Sequence, residues 1–350
     1  MDRTPLTAPS SPAPPERMPA GLDLRQLTRR AVQIAIALAV LVAVAVLAPG
    51  LGEVRTRLGG ASPGWLAIAI VFEILSSLSY VLMFRPAFCS LMTWRSAAEL
   101  GLAEVGTGSL VPASGAGGIA LGAWVLSKAG MRAETIARRS VAFLLLKSSV
   151  NFAAVVVVGV LVYAGVIGPP QSVWLTLLPA ALAALVIALV ALIPRIPAGP
   201  DASPEDGRVR RLWLASRAAL IRGTHEAGVL LKRKNPWLLA GILGYWAWDN
   251  LALWAAFHAV GDPPGASVIL LGYLIGQLGG LLPIPGGIGG IDGGLIGTLI
   301  VFGADASTAT AAVLAYRIIL FWIPLTMGAA AFLSLRRSLA RPGGFIPCAD

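Results

Sequence analysis

Residues 281–294 read LLPIPGGIGGIDGG, and residues 110–122 read LVPASGAGGIALG. Each stretch lies near the middle of a long apolar run, at about 267–301 and about 97–126. Proline removes a helical donor, and glycine loosens the backbone. Each run is therefore expected to form two short helices with a break between them. Freed backbone N–H groups are not tolerated in hydrocarbon, so such a break must be buried in protein or line a wet cavity. These two stretches point to a membrane helix bundle with two re-entrant hairpins.

The rest of the chain agrees. Of its 350 residues, 57% are apolar and 13% are charged, with a mean hydropathy of +0.79. A soluble domain carries roughly a quarter charged residues, and so sparse a set cannot cover a water-soluble surface. Six unbroken apolar runs, Ala31–Ala48, Trp65–Met83, Val141–Gly165, Val173–Ile193, Trp237–Val260 and Ala309–Leu335, are close to the ~20 residues that cross a bilayer. The expected fold is an all-α, polytopic membrane bundle with about six full spans and two broken-helix hairpins. Residues 1–30, rich in Pro, Ala and Ser at their start, are expected to be a disordered tail. The membrane domain follows at 31–338, with a short tail at 339–350. The first run follows a long Arg-bearing segment, and Pro49 follows its only small-residue site. It is expected to be an uncleaved helix.

Lys and Arg set the orientation. With a cytoplasmic N-terminus and both broken runs re-entrant, 23 of the 27 basic residues fall inside and only Arg55 and Arg57 outside; Lys147 and Arg317 lie within helices. This asymmetry is the positive-inside rule. The first hairpin then opens to the cytoplasm and the second to the outside, which is the plan of inverted repeats in secondary transporters. Both termini are expected on the cytoplasmic side of a bacterial cell membrane. The connection 194–236 carries Arg208, Arg211, Arg222, Lys232 and Lys234 on an apolar-flanked segment and reads as an interfacial amphipathic helix.

Several functions are excluded. The net charge of +10 does not indicate nucleic acid, because the aromatic residues lie inside apolar runs and offer no stacking platform in a basic patch. No phosphate-binding loop of the nucleotide type occurs. Cys89 and Cys348 are far apart and support neither a disulfide framework nor a zinc site, and two histidines are too few for a metal cluster. No metal and no cofactor are expected.

Charges inside apolar runs cost several kcal/mol at the bilayer centre, by some scales about 3, so each requires a reason. They are Glu73, Glu99, Glu104, Lys147, Asp249, Asp292 and Arg317, and five acids cannot all be neutralised by two bases. Glu99 and Glu104 are too poorly aligned to be a metal pair, and Glu73 and Tyr80 read as interface residues. A half-helix starting after Gly289-Gly290 would aim its positive end at the cavity, and such an end suits a phosphate. Against this, Gly118-x-x-x-Gly122, Gly272-x-x-x-Gly276 and Gly290-x-x-x-Gly294 all have helix-packing spacing. Packing is the better account of any single pair; the broken helix better explains the whole run with its two prolines.

The stretch LLPIPGGIGGIDGGLIGTLIVFG, followed by AVLAYRIILFWIPLTMGAAAFLSLRR, resembles the transmembrane-region family of lysylphosphatidylglycerol synthases, the membrane half of the multiple peptide resistance factors. The residues that carry the resemblance are Pro285, Gly286, Gly287, Asp292, Tyr316, Arg317, Phe321, Trp322 and Pro324, with YWAWDNLALWAAFHAVG around Asp249 as the preceding helix. Two departures stand out. Asp292 is more often Glu in the family, and GGIALGAWVL after the first break is apolar up to Lys128.

The resemblance implies a lipid-handling, flippase-like membrane protein. The aminoacyl-transfer domain of the full synthases is soluble and C-terminal, and the 15 residues after Leu335 cannot hold it, so no enzymatic activity is expected. The expected site gathers Pro285, Gly286, Gly287, Gly289 and Gly290 for a phosphate, Lys147 and Arg317 as countercharge, and Asp292 and Asp249 for a proton or a cationic headgroup. Tyr316 and the first break, at Pro112, Gly117 and Gly118, complete it. The expected partners are membrane lipids, an anionic phospholipid or a polyprenyl-linked lipid, with a second copy of the chain or a synthase or glycosyltransferase as protein partners. Two rivals remain: a transporter of a small solute, and a non-transporting subunit of a lipid- or glycan-modifying complex. Changing Arg317 or Asp292 alone is expected to abolish transport with little loss of stability.

Overall fold

The computed structural model describes residues 24–47, 52–110, 116–168, 171–197, 207–277 and 290–341. Among these, every regular element is a helix: α1 (Leu24–Leu47), α2 (Gly52–Gly59), α3 (Pro63–Phe88), α4 (Trp94–Leu110), α5 (Ala116–Lys128), α6 (Ala133–Tyr163), α7 (Val173–Leu192, extended by a 3-10 turn to Arg195), α8 (Arg208–Lys232), α9 (Pro236–Val260), α10 (Ala266–Gly276), α11 (Gly290–Val301) and α12 (Ala306–Leu339). The chain is a polytopic helical membrane protein. By length and apolar character α3, α6, α7 and α12 can cross a bilayer. The other two expected spans, α1 and α9, are 24 and 25 residues long, which also suffices for length.

Helix starts follow local chemistry. Asn235 caps α9, its Oδ1 accepting from the N–H groups of Trp237 and Leu238 at 3.0 and 3.2 Å, with Pro236 at the first helical position, where its missing donor costs nothing. Two local corrections arise. Residues 24–30, assigned to the tail by composition, lie in α1, where Leu27 is buried beside Leu110 and Phe321. Cys89, at the end of α3, is disulfide-bonded, which the wide spacing of the two cysteines did not suggest.

The two broken runs are pairs of short helices. The first is α4 and α5, of 17 and 13 residues, and the second is α10 and α11, of 11 and 12. None reaches the ~20 residues of a full span, and within each pair the two helices pack on each other. The glycine-rich breaks themselves, 111–115 and 278–289, lie outside the described residues. Their flanks converge on α12 within about one turn: Leu110, the last residue of α4, packs on Phe321, and Asp292 of α11 pairs with Arg317.

The pairing pattern is that of two inverted halves. Helices α3 and α9 run antiparallel along most of their length. The Ser62 N–H donates to Ala259 O (2.8 Å) at one end, Ser76 Oγ donates to Tyr245 O (3.2 Å) in the middle, and the Trp94 and Trp237 rings meet at 5.4 Å beyond the other end. Taking α3–α6 as one half and α9–α12 as the other, each hairpin's first helix packs on the long helix of the opposite half, α4 on α12 and α10 on α6.

Glycine makes the α4–α12 crossing close. A Cβ on Gly106 would lie 2.8 Å from the Gly328 Cα, and one on Gly328 would lie 2.6 Å from the Gly106 Cα. Gly106→Val is therefore expected to cost about 1–3 kcal/mol or more through overpacking. Gly228→Ala on α8, where a Cβ meets nothing within 4 Å, is expected to stabilise by about 0.5–1 kcal/mol through helix propensity. Thermal unfolding in one detergent checks both signs together.

Within the connection 194–236 the chain forms α8. It buries Ile221, Ala227 and Leu230 against α6, tied by Arg138–Glu226 (3.4 Å) and Arg222–Glu134. Its first turns leave Val209, Leu212 and Trp213 exposed, as an interfacial segment requires.

On the opposite side, Asp305 caps α12. It accepts from Ser307 Oγ (2.6 Å), the Thr308 N–H (2.8 Å) and Thr308 Oγ1 (2.7 Å), with Arg57 of α2 at 3.4 Å. The Ser307 hydroxyl, then the Thr308 N–H and hydroxyl, hold this carboxyl well below the usual carboxylate range; Arg57 adds to them. A depressed pKa contributes stability that is complete above the unfolded value near 3.9 and is lost as pH falls through the folded one. The difference in thermal midpoint between wild type and Asp305→Ala is thus expected to be constant at neutral pH and to shrink only below about pH 4.

Candidate functional site

Two polar clusters lie between the halves. In the second, Asp249 on α9 is buried and accepts two phenol hydrogen bonds, from Tyr316 Oη at 2.6 Å and from Tyr273 Oη. Beside it the Arg317 guanidinium forms an ion pair with Asp292, the two side chains being 13% and 8% exposed. Arg317 stands eleven residues in from Ala306, about 17 Å along the axis, close to half of a ~30 Å hydrocarbon core. Asp292 lies in the first turn of α11. It thus holds the place of an anion, at the positive end of a short helix and against a guanidinium.

The first cluster repeats this plan in the other half. Tyr80 Oη on α3 donates to Glu104 Oε2 on α4 at 2.9 Å. Lys147 on α6 is drawn to Glu104, and its ammonium lies 5.9 Å from the Tyr80 ring centre and 5.6 Å from that of Tyr245. A primary amine between two phenol rings is held by cation–π attraction.

The two clusters correspond residue by residue. Tyr80 and Glu104 are 24 residues apart, and so are Asp249 and Tyr273. The offset between halves is 169 residues, the separation of Ser76 and Tyr245, which meet at the pseudo-two-fold axis; Tyr80 and Asp249 share it. Lys147 and Arg317 match to within one residue of the same offset. Across the axis the chemistry is exchanged. Half one has its tyrosine on the crossing helix and its acid on the hairpin; half two has them reversed.

Of the expected site residues, Asp249, Asp292, Tyr316 and Arg317 come together. Lys147 does not join them and belongs to the first cluster. Gly118 and Gly122 have a packing role, since both lie against Glu104. A Cβ on Gly118 would stand 2.4 Å from the Glu104 carbonyl oxygen, and one on Gly122 would stand 1.5 Å from Glu104 Oε1. The missing Cβ at Gly122 is what gives the Glu104 carboxylate room. Gly117 lies in the first turn of α5, and Gly290 opens α11. Pro112, Pro285, Gly286, Gly287 and Gly289 lie outside the described residues.

Sequence reasoning missed Tyr245 and Tyr273, which carry no charge to mark them. The equal spacing of the two tyrosine–acid pairs could have found Tyr273. Glu99 and Glu104 are separated as expected. Glu99 sits near the start of α4, accepting from Ser334 Oγ (2.7 Å) and Arg95 Nε (3.2 Å). Among the described residues no group of three or more His, Cys, Asp or Glu side chains could hold a metal.

Comparisons with known proteins agree with this architecture. A UPF0104 membrane protein from Methanothermobacter thermautotrophicus is 26% identical to this chain over 324 residues, 83% of this chain and 91% of that protein. A shorter match to a protein of that name in the same organism is 39% identical over 90 residues, 25% of this chain and 26% of the other. The family model for the lysylphosphatidylglycerol synthase TM region matches residues 30–328, which include both hairpins and both clusters. The chain belongs to the lysylphosphatidylglycerol synthase transmembrane-region family.

Proposed function

We propose that this protein moves an amphipathic lipid with an anionic or aminoacylated headgroup between the leaflets of the bacterial cell membrane, acting as a transporter and not as an enzyme. The observation that supports this reading most is Arg317, a permanent cation at about half the bilayer depth. It is neutralised by Asp292 at the N-terminal turn of α11. A phosphate that takes the place of the Asp292 carboxylate gains both the guanidinium and the helix end. The freed carboxylate and Asp249 then face any amine on the headgroup. Family membership supports a lipid as the cargo. In this reading both termini are cytoplasmic, and the phosphate belongs to a phospholipid or a polyprenyl-linked lipid.

A leaflet-resolved assay tests it. Purified protein in vesicles is given fluorescent phosphatidylglycerol, its lysyl ester and phosphatidylcholine. Transfer of the first or second well above protein-free vesicles, with phosphatidylcholine lagging, is the expected result. Equal transfer of all three, or none, would sink the reading; uptake of soluble phosphate alone would replace it with a solute carrier.

A further inference from the structure

Among the described residues, the buried charges of the membrane domain do not cancel. Arg317 takes Asp292, Lys147 lies by Glu104, and Glu99 has Arg95. Glu73 and Asp249 remain, and they face each other. Their neighbours Phe72 and Trp248 stack with ring centres 5.6 Å apart, and one turn further along the same seam Ser76 meets Tyr245. This register brings Glu73 of α3 within about half a turn of Asp249 of α9 along the seam, close enough to repel it. Glu73 stands ten residues in from Pro63, about 15 Å along α3, at the depth of Arg317.

The polar groups around Glu73 are incompletely satisfied. The side chain is 3% exposed, and its Oε2 has no hydrogen-bond partner. Ser77 Oγ, one turn along α3, and Asn250 Oδ1, beside Asp249, are likewise buried and unbonded. The groups facing this pair are Tyr245 from α9, Tyr273 from α10, and Tyr316 and Arg317 from α12, with Asp292 of α11 behind Arg317. Arg317 is the one cation in that set, and it is already engaged with Asp292. Two adjacent carboxylates buried between helices cannot both stay ionised. Asp249, whose two oxygens accept two phenols, keeps the charge, and a proton on Glu73 removes the repulsion.

We propose that Glu73 and Asp249 form a proton-holding pair at mid-membrane: one proton rests on Glu73 while the site is empty, and the pair takes up a second when an anion occupies Arg317. The proposal rests on the lipid reading above and supplies its energy source. When a phosphate takes Arg317, the carboxylates of Asp292 and Asp249 lose their countercharge. A second proton from water then bonds to a carboxylate oxygen of Asp249, beside the Glu73 that already carries one, and restores the balance; when the anion leaves, that O–H bond breaks and the proton returns to water. Anion and proton therefore travel together.

The test separates this proposal from the function it rests on. Infrared difference spectroscopy of the full chain in detergent follows the C=O stretch of protonated carboxyls. Wild type should show a buried, protonated carboxyl at neutral pH. Glu73→Gln should lack it while keeping its thermal midpoint, and Glu73→Asp should retain it. In vesicles, an imposed pH gradient should drive wild type and Glu73→Gln to accumulate fluorescent phosphatidylglycerol in one leaflet, whereas Asp249→Asn shows no gradient-driven accumulation.

Absence of the band in wild type, or its persistence in Glu73→Gln, overturns the proposal. Identical equilibration by wild type and Asp249→Asn whatever the gradient overturns the coupling and leaves lipid movement standing. Accumulation driven by sodium instead of protons also overturns it. If none of these proteins moves lipid yet the Glu73 band responds to inorganic phosphate, the proton pair stands and the lipid reading falls.

Discussion

Arg317→Met is expected to abolish lipid transfer and to destabilise the protein by about 3–5 kcal/mol, the usual cost of leaving one partner of a buried ion pair uncompensated. Asp292→Leu should do the same from the other side, since Arg317 cannot shed its proton. The sequence alone suggests that single changes spare stability. Pairing of two nearly buried side chains alters that, because removing either leaves the other's charge buried without this partner. The double variant Arg317→Met with Asp292→Leu removes both charges and should recover most of the lost stability. It should still transfer no lipid, having no cation left for the phosphate. A stable double variant with full transfer would reduce the pair to a structural tie.

A comparable effect is expected at Asp249. Asp249→Ala orphans the Tyr273 and Tyr316 phenols together. Each buried, unsatisfied donor costs about 1–3 kcal/mol, so a total loss of roughly 2–6 kcal/mol should lower yield and thermal midpoint sharply. Asp249→Asn keeps an acceptor oxygen but loses the charge. It should fold well and move little lipid, so that the pair of variants separates the hydrogen-bonding part of this residue from its charge. If Asp249→Ala unfolds at the wild-type midpoint, the phenols have found other partners and the cluster is looser than its geometry implies.

How much of this was legible in the sequence follows from what a sequence marks. Charges are rare in this chain, so Arg317, Asp292, Asp249 and Lys147 stand out, and three of the four come together. Lys147 reads equally well beside Arg317 or apart from it, because helix pairing across the axis is not written in any local pattern. The hairpins were readable because proline and glycine break helices locally, and α4, α5, α10 and α11 are short for that reason. Tyr273 and Tyr245 sit in apolar runs where a tyrosine resembles any other large side chain; only their partners on other helices reveal them. Gly118 illustrates the opposite error. Its neighbours suggest a ligand loop, while its place against the Glu104 backbone makes it a packing glycine.

The exchange of hairpins between the halves has a consequence for how the protein is made. Helix α4 packs chiefly on α12, so the first hairpin built by the ribosome has its principal neighbour in the last helix built. From the insertion of α4 until α12 arrives, nearly two hundred residues later in the chain, Gly106 and the end of α4 have no α12 to close against. During that interval the half-made protein must shelter Glu104 and an unfinished helix end with its own α5, with α3, or with an insertion factor. A chain cut short before Ala306 would leave that hairpin without the neighbour it packs on most, exposing a membrane quality-control signal at its N-terminal half for a defect at its C-terminal end.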